Sequence, residues 1–204
     1  MTRRALCATA GMVTAGLALP AWGRSFGADG RMAYGPDPRQ TLRLYPARGQ
    51  GPHPLVIMVG DAAERPSGAM ERTARRLVSR GMTVALIDRR PSRHGLQAHT
   101  SDVVRALSQL LARADGLSLD GRFALWGEAA GASVVLLVAR DRRYLTAAKI
   151  DPYRLWGTVA LGAPPETDPT FTRASAYGLG PTRSLYQGQA GQTAQGTAFL
   201  DGLF

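Results

Sequence analysis

Among 204 residues there is one cysteine, Cys7. That excludes a disulfide framework and a cysteine-built zinc site, each of which needs more than one thiol. Lysine is equally scarce: Lys149 stands alone, and arginine carries almost all of the positive charge. The formal net charge of +10 gives a surface able to attract phosphates or anionic lipid. The arginines are spread along the whole chain, however, and no basic run is interleaved with aromatics, so a nucleic-acid partner is not expected. Also missing is an apolar run of the roughly 20 residues that a spanning helix needs. No segment repeats internally, and the length suits one hydrophobic core.

What is present begins at the N-terminus. Arg3 and Arg4 precede an apolar run from Ala5 to Leu19, closed by Pro20 and the small-residue stretch Ala21-Trp22-Gly23. This is the outline of a signal peptide over residues 1–23, and paired arginines before a modest apolar segment resemble a twin-arginine signal. The expectation is a periplasmic or secreted protein with no stable membrane span once the signal is removed; an N-terminal anchor or a misread start are the alternatives. Cys7 lies at the front of the run, where a lipoprotein cysteine would follow it, and is expected to leave with the signal. Residues 24–39, rich in Gly, Pro and Asp, read as an irregular arm, and residues 40–204 as a single domain.

Inside that domain short apolar strands alternate with amphipathic helices. Gln40 to Pro46 is strand-like, and Pro54-Leu55-Val56-Ile57-Met58-Val59-Gly60 is an unbroken apolar run of the kind buried on both faces. Ser67 to Arg80 carries Met70, Ala74, Leu77 and Val78 at helical spacing and ends at Gly81. Thr83 to Ile87 is a second buried strand. Asp102 to Ala114 reads as a helix capped by Ser101, and Arg122 to Gly127 as a strand leading into a helix over Ala132 to Ala139. Strands follow at Trp156 to Leu161 and, more weakly, at Ser184 to Gln187, with a short final helix from Gln192 to Leu203. This alternation predicts an α/β protein: three αβα layers around a mainly parallel sheet joined by right-handed crossovers.

In such sheets ligands sit beyond the carboxyl ends of the strands. One loop there is diagnostic: a strand, then Gly127-Glu128-Ala129-Ala130-Gly131, then a helix. This is the frame of a nucleophile elbow, in which small residues permit a strained turn that lifts its central side chain out of the sheet. The central residue here is Ala129. At this point the chain resembles the α/β-hydrolase superfamily, and within it the esterase branch of carboxylesterase-like and arylformamidase-like enzymes. The likeness runs from Tyr34-Gly35-Pro36-Asp37-Pro38-Arg39-Gln40, through Asp120-Gly121-Arg122-Phe123-Ala124-Leu125-Trp126-Gly127, to Pro181-Thr182-Arg183-Ser184-Leu185-Tyr186-Gln187-Gly188.

The resemblance implies an α/β-hydrolase-like fold truncated at its C-terminal end, and it implies catalytic positions that this chain fills with other residues. Ala129 stands at the serine position, and a methyl group cannot attack a carbonyl. Gly60-Asp61-Ala62 stands where the branch has a His-Gly-Gly oxyanion loop, and Asp61 with Glu64 would oppose negative charge. Gly191 stands at the acid position. His53, His94 and His99 all precede the elbow, whereas the family's catalytic histidine follows it.

Three explanations of this pattern remain open: a non-catalytic homologue that binds a protein partner or a small apolar or ester ligand, a carboxylic-ester hydrolase with displaced residues, and a truncated gene product. The substitutes for displaced chemistry are Ser133, one helical turn beyond Ala129, with His94 or His99 and Asp88. Against them, a helical serine more often bonds to a backbone carbonyl, and His94 and His99, five residues apart, share no helix face and read as exposed loop histidines. Neither a metal nor a cofactor is expected.

Overall fold

A computed structural model of the chain describes residues 30–60, 67–162, 183–187, 197–200 and 202. Among the described residues seven strands form one sheet: β1 (Arg31–Ala33), β2 (Thr41–Tyr45), β3 (His53–Val59), β4 (Thr83–Ile87), β5 (Leu119–Glu128), β6 (Leu155–Leu161) and β7 (Arg183–Gln187). Their order is β1-β2-β4-β3-β5-β6-β7. β2 runs antiparallel to both of its neighbours, and β3 to β7 are parallel throughout.

The central position of β3, between β4 and β5, explains its sequence. Leu55 to Val59 are completely buried, each such side chain contributing on the order of 1.5–3 kcal/mol. Alternation sends Leu55, Ile57 and Val59 to one face and Val56 and Met58 to the other. Helices α1 (Gly68–Val78), α2 (Gly95–Leu111), α3 (Ala130–Arg140) and α4 (Arg143–Ala147) cover those faces. α1 packs Met70, Ala74 and Leu77 against Val56, Met58 and Trp126, a layer that also takes in Leu200. α2, α3 and α4 cover the opposite face through residues such as Val103, Leu107, Val135 and Leu145. The result is three αβα layers around a mainly parallel sheet.

The elements start where local chemistry allows. Ser67 caps α1 by accepting a hydrogen bond from the Met70 amide at 3.2 Å, satisfying one of the donors that the first helical turn leaves open. α2 departs from the sequence expectation. It begins at Gly95, not at Asp102, and Ser101 is no cap: its hydroxyl lies within the helix and donates to the Gln97 carbonyl at 3.0 Å. The two additional turns bury His99 and Thr100, polar side chains that an apolar pattern cannot flag. β1 lies within the segment read as an irregular arm, and α4 occupies a stretch for which no element was expected. Residues 197–200 are helical, within the expected final helix. The segment read as a signal peptide, the first part of the arm, Asp61, Ala62 and Gly191 lie outside the described residues. Among the described residues, no helix is long and apolar enough to cross a membrane.

Candidate functional site

Parallel pairing brings the carboxyl ends of four strands to one edge. Val59 lies opposite both Ile87 and Gly127, and Glu128 lies opposite Leu161. The turn from β5 into α3 stands in the middle of that edge.

Ala129, at this turn, has φ 50° and ψ −123°, a conformation that costs a non-glycine residue on the order of 1–3 kcal/mol. It persists because the surroundings hold it. The Ala129 amide donates to the Leu161 carbonyl at 2.8 Å, and its carbonyl accepts from the Ala132 amide at 3.0 Å. The flanking glycines are obligatory for contact reasons: a Cβ on Gly127 would stand 2.5 Å from the Gly131 carbonyl oxygen, and one on Gly131 would stand 2.1 Å from that of Val59. The turn therefore presents residue 129 outward, and Ala129 is exposed while Gly127 and Gly131 are buried. What it presents is a methyl group.

Glu128 and Ala130 beside it are half-buried. The Glu128 carboxylate accepts the Trp126 indole N–H at 3.0 Å, so it is held by a neighbour on its own strand. Gly60, at the end of β3, is buried, and its carbonyl accepts from the Arg89 guanidinium at 2.5 Å. Arg89 is itself buried in the loop after β4, which places a cation beside the carboxyl end of β3.

Sequence reasoning missed the polar network around this loop. The fully buried Asp102 on α2 accepts from the Gln40 amide at 2.7 Å and from Arg90 Nε at 3.0 and 3.1 Å. Arg90 also donates to the Ala98 carbonyl at 3.1 Å, and its hydrogen bonding to Asp102 raises its pKa further. Asp88 accepts from Arg31 and from the Thr41 hydroxyl, and its backbone carbonyl accepts from the Tyr34 hydroxyl at 2.6 Å. Burial, then the nearby Asp102 and Asp88, pushes the Tyr34 phenol far above its ordinary pKa. The available signal was Asp102 itself, an acid directly before the apolar Val103 and Val104, and the Arg89-Arg90 pair at the end of a buried strand.

The substitute residues are not assembled. Ser133 is buried in α3, and among the described residues its hydroxyl has no hydrogen-bond partner. His94 is exposed at the start of α2. His99 is buried within α2, contrary to the exposed-loop expectation, with Nε2 3.2 Å from the Pro91 carbonyl. Burial, ahead of the positive charge of Arg89, lowers its pKa. Among the described residues no hydrogen bond joins Ser133, His94, His99 and Asp88 to one another, and no group of three or more His, Cys, Asp or Glu could hold a metal ion.

Comparison with solved structures gives the frame a name. The bifunctional GH43-CE protein of Bacteroides eggerthii superposes with a TM-score of 0.56 at 18% identity, over 67% of this chain and 23% of that one. Esterase B from Lactobacillus rhamnosis matches with a TM-score of 0.51 at 21% identity, over 65% of this chain and 46% of that one. The esterase of Pyrobaculum calidifontis matches with a TM-score of 0.50 at 20% identity, over 60% and 40%. The chain has the α/β-hydrolase fold. It spans less than half the length of each of these three structures. No protein-family profile matches the sequence, and no curated protein does. The turn after β5, with Ala129 at its tip, has the strand–turn–helix course and the glycine packing of the elbow frame read from the sequence.

Proposed function

We propose that this chain is an exported α/β-hydrolase-fold protein without hydrolytic activity, whose role is to bind a protein partner or a small apolar or ester ligand. One observation carries the reading: the strained elbow is intact and points residue 129 outward, and that residue is an exposed alanine. Acyl transfer in this fold starts with an activated oxygen at that position, and a C–H bond of a methyl group offers no nucleophile to activate. Export rests on Arg3, Arg4 and the apolar run behind them. The displaced-residue alternative gains nothing from the geometry, since among the described residues the buried Ser133 hydroxyl has no hydrogen-bond partner.

An activated serine oxygen attacks the phosphorus of a fluorophosphonate, forming an O–P bond and expelling fluoride, so the mass rises by the phosphonyl group less the hydroxyl proton. Intact-mass measurement of the purified chain after such incubation should show no adduct. A stoichiometric adduct mapped to Ser133, or to any other serine, would establish an activated hydroxyl and overturn the proposal.

A further inference from the structure

On the face of the molecule covered by α2 and α4, away from the elbow, the two helices leave a groove of about 620 Å³ between them, a volume within the range of small-molecule sites. Its apolar lining comes from Val104 on α2 and from Tyr144, Ala147 and Ala148 at α4.

The polar lining is unequal in sign. Arg105, Ser108 and Gln109 line the α2 wall. Arg105 and the Ser108 hydroxyl make no hydrogen bond or ion pair among the described residues, and the Gln109 side chain uses only its oxygen, accepting from Arg113 at 2.6 Å. All three therefore offer donors. The one carboxylate in the groove, Asp141, is committed: it accepts from Arg143 Nε at 2.9 Å, from Nη2 at 2.8 Å and from the Arg143 amide at 3.1 Å. That pairing also neutralises Arg143. The free charge of the groove is the Arg105 guanidinium, placed beside an apolar floor. A lone arginine on a helix surface is ordinary; one flanked by two further unspent donors above a concave apolar lining is a receptor for an acceptor-only headgroup with a hydrocarbon body.

We propose that the α2–α4 groove binds a monoanionic amphiphile, a carboxylic acid with a short apolar chain. Its carboxylate is held by Arg105 with Ser108 and Gln109, and its chain lies against Val104, Tyr144 and Ala147. Arginine suits this role because its planar fork meets a carboxylate with two parallel hydrogen bonds. The site is separate from the elbow and does not depend on whether the protein hydrolyses esters.

Sodium octanoate titrated into the purified chain by isothermal calorimetry tests this, with octanamide as the neutral probe of equal shape and Arg105→Gln as the variant. Octanoate should bind saturably, and both octanamide and the variant should lower the affinity by about tenfold or more, the size of one lost charge-assisted pair. Arg105 is exposed, so the variant keeps the fold, and its thermal unfolding transition verifies this. Tyr144→Ser should weaken octanoate while leaving the preference for the charged probe. Absence of octanoate binding to the folded protein overturns the proposal, and so does binding that Arg105→Gln leaves unchanged, which would put the acid elsewhere.

Discussion

Gly131 lies so close to the end of β3 that a Cβ on it would stand 2.1 Å from the carbonyl oxygen of Val59. The elbow is thus built by backbone packing between α3 and the sheet, independently of what residue 129 does. Gly131→Ala must push the first turn of α3 off β3, and overpacking of this kind costs about 3 kcal/mol. Urea unfolding should show that loss, and a loss below about 1 kcal/mol would mean that the contact is slack.

The strain at Ala129 makes a prediction of opposite sign. With φ at 50°, glycine fits the turn better than alanine, and the relief exceeds the entropy that glycine adds to the unfolded chain. Ala129→Gly should therefore stabilise the protein by about 1 kcal/mol. Destabilisation on urea unfolding would show that the turn is relaxed in solution.

Thr158 on β6 and Ser133 on α3 carry buried hydroxyls with no hydrogen-bond partner among the described residues. Replacing such a group by one of the same shape without the hydroxyl removes a desolvation cost. Thr158→Val should raise stability by about 1 kcal/mol; a comparable loss would reveal a partner for the hydroxyl.

Asp102 ties Gln40, Arg90 and α2 together inside the fold. Asp102→Ala removes the carboxylate to which the Arg90 guanidinium and the Gln40 side-chain amide both donate and should cost about 3 kcal/mol. A change below 1 kcal/mol, measured by thermal or urea unfolding, would show that water replaces the carboxylate freely.

His99 gives the fold a pH dependence. Its folded-state pKa is lowered, by burial first and then by Arg89, so the unfolded chain takes up this proton near pH 6.5 while the folded chain resists until lower pH. Acidification thus favours the unfolded state: the contribution is fully present above about pH 7 and is lost as pH falls through about 6.5 towards the lowered folded value. Unfolding measured at about pH 7.5 and about pH 5.5 should show a smaller loss for His99→Gln than for the unaltered chain. Equal losses would place the pH dependence elsewhere.

These residues also mark how far the sequence could be read. The run from Leu55 to Val59 is legible because a strand buried on both faces needs apolar side chains at every position. The elbow is legible because its glycines answer to contacts at the strand–helix junction that admit no side chain. The early start of α2 was hidden because His99 and Thr100 are buried through local hydrogen bonds, to Pro91 and to Leu96 at 2.9 Å, and leave no apolar periodicity. The Asp102 network was hidden for a related reason: its partners Gln40 and Arg90 come from distant segments, and only the register of β2 against β4 brings them together. β1, at three residues, is fixed by its pairing with β2 and not by any pattern of its own.

The central claim is that an intact elbow carries no nucleophile. Its most direct test is hydrolysis of p-nitrophenyl acetate and butyrate by the purified chain, with Ala129→Ser beside it and buffer as reference. The account predicts that the unaltered chain turns over neither ester above buffer, while an unchanged unfolding transition shows that the sample is folded. Turnover far above buffer by the unaltered chain, retained in Ser133→Ala or abolished by it, would contradict the claim.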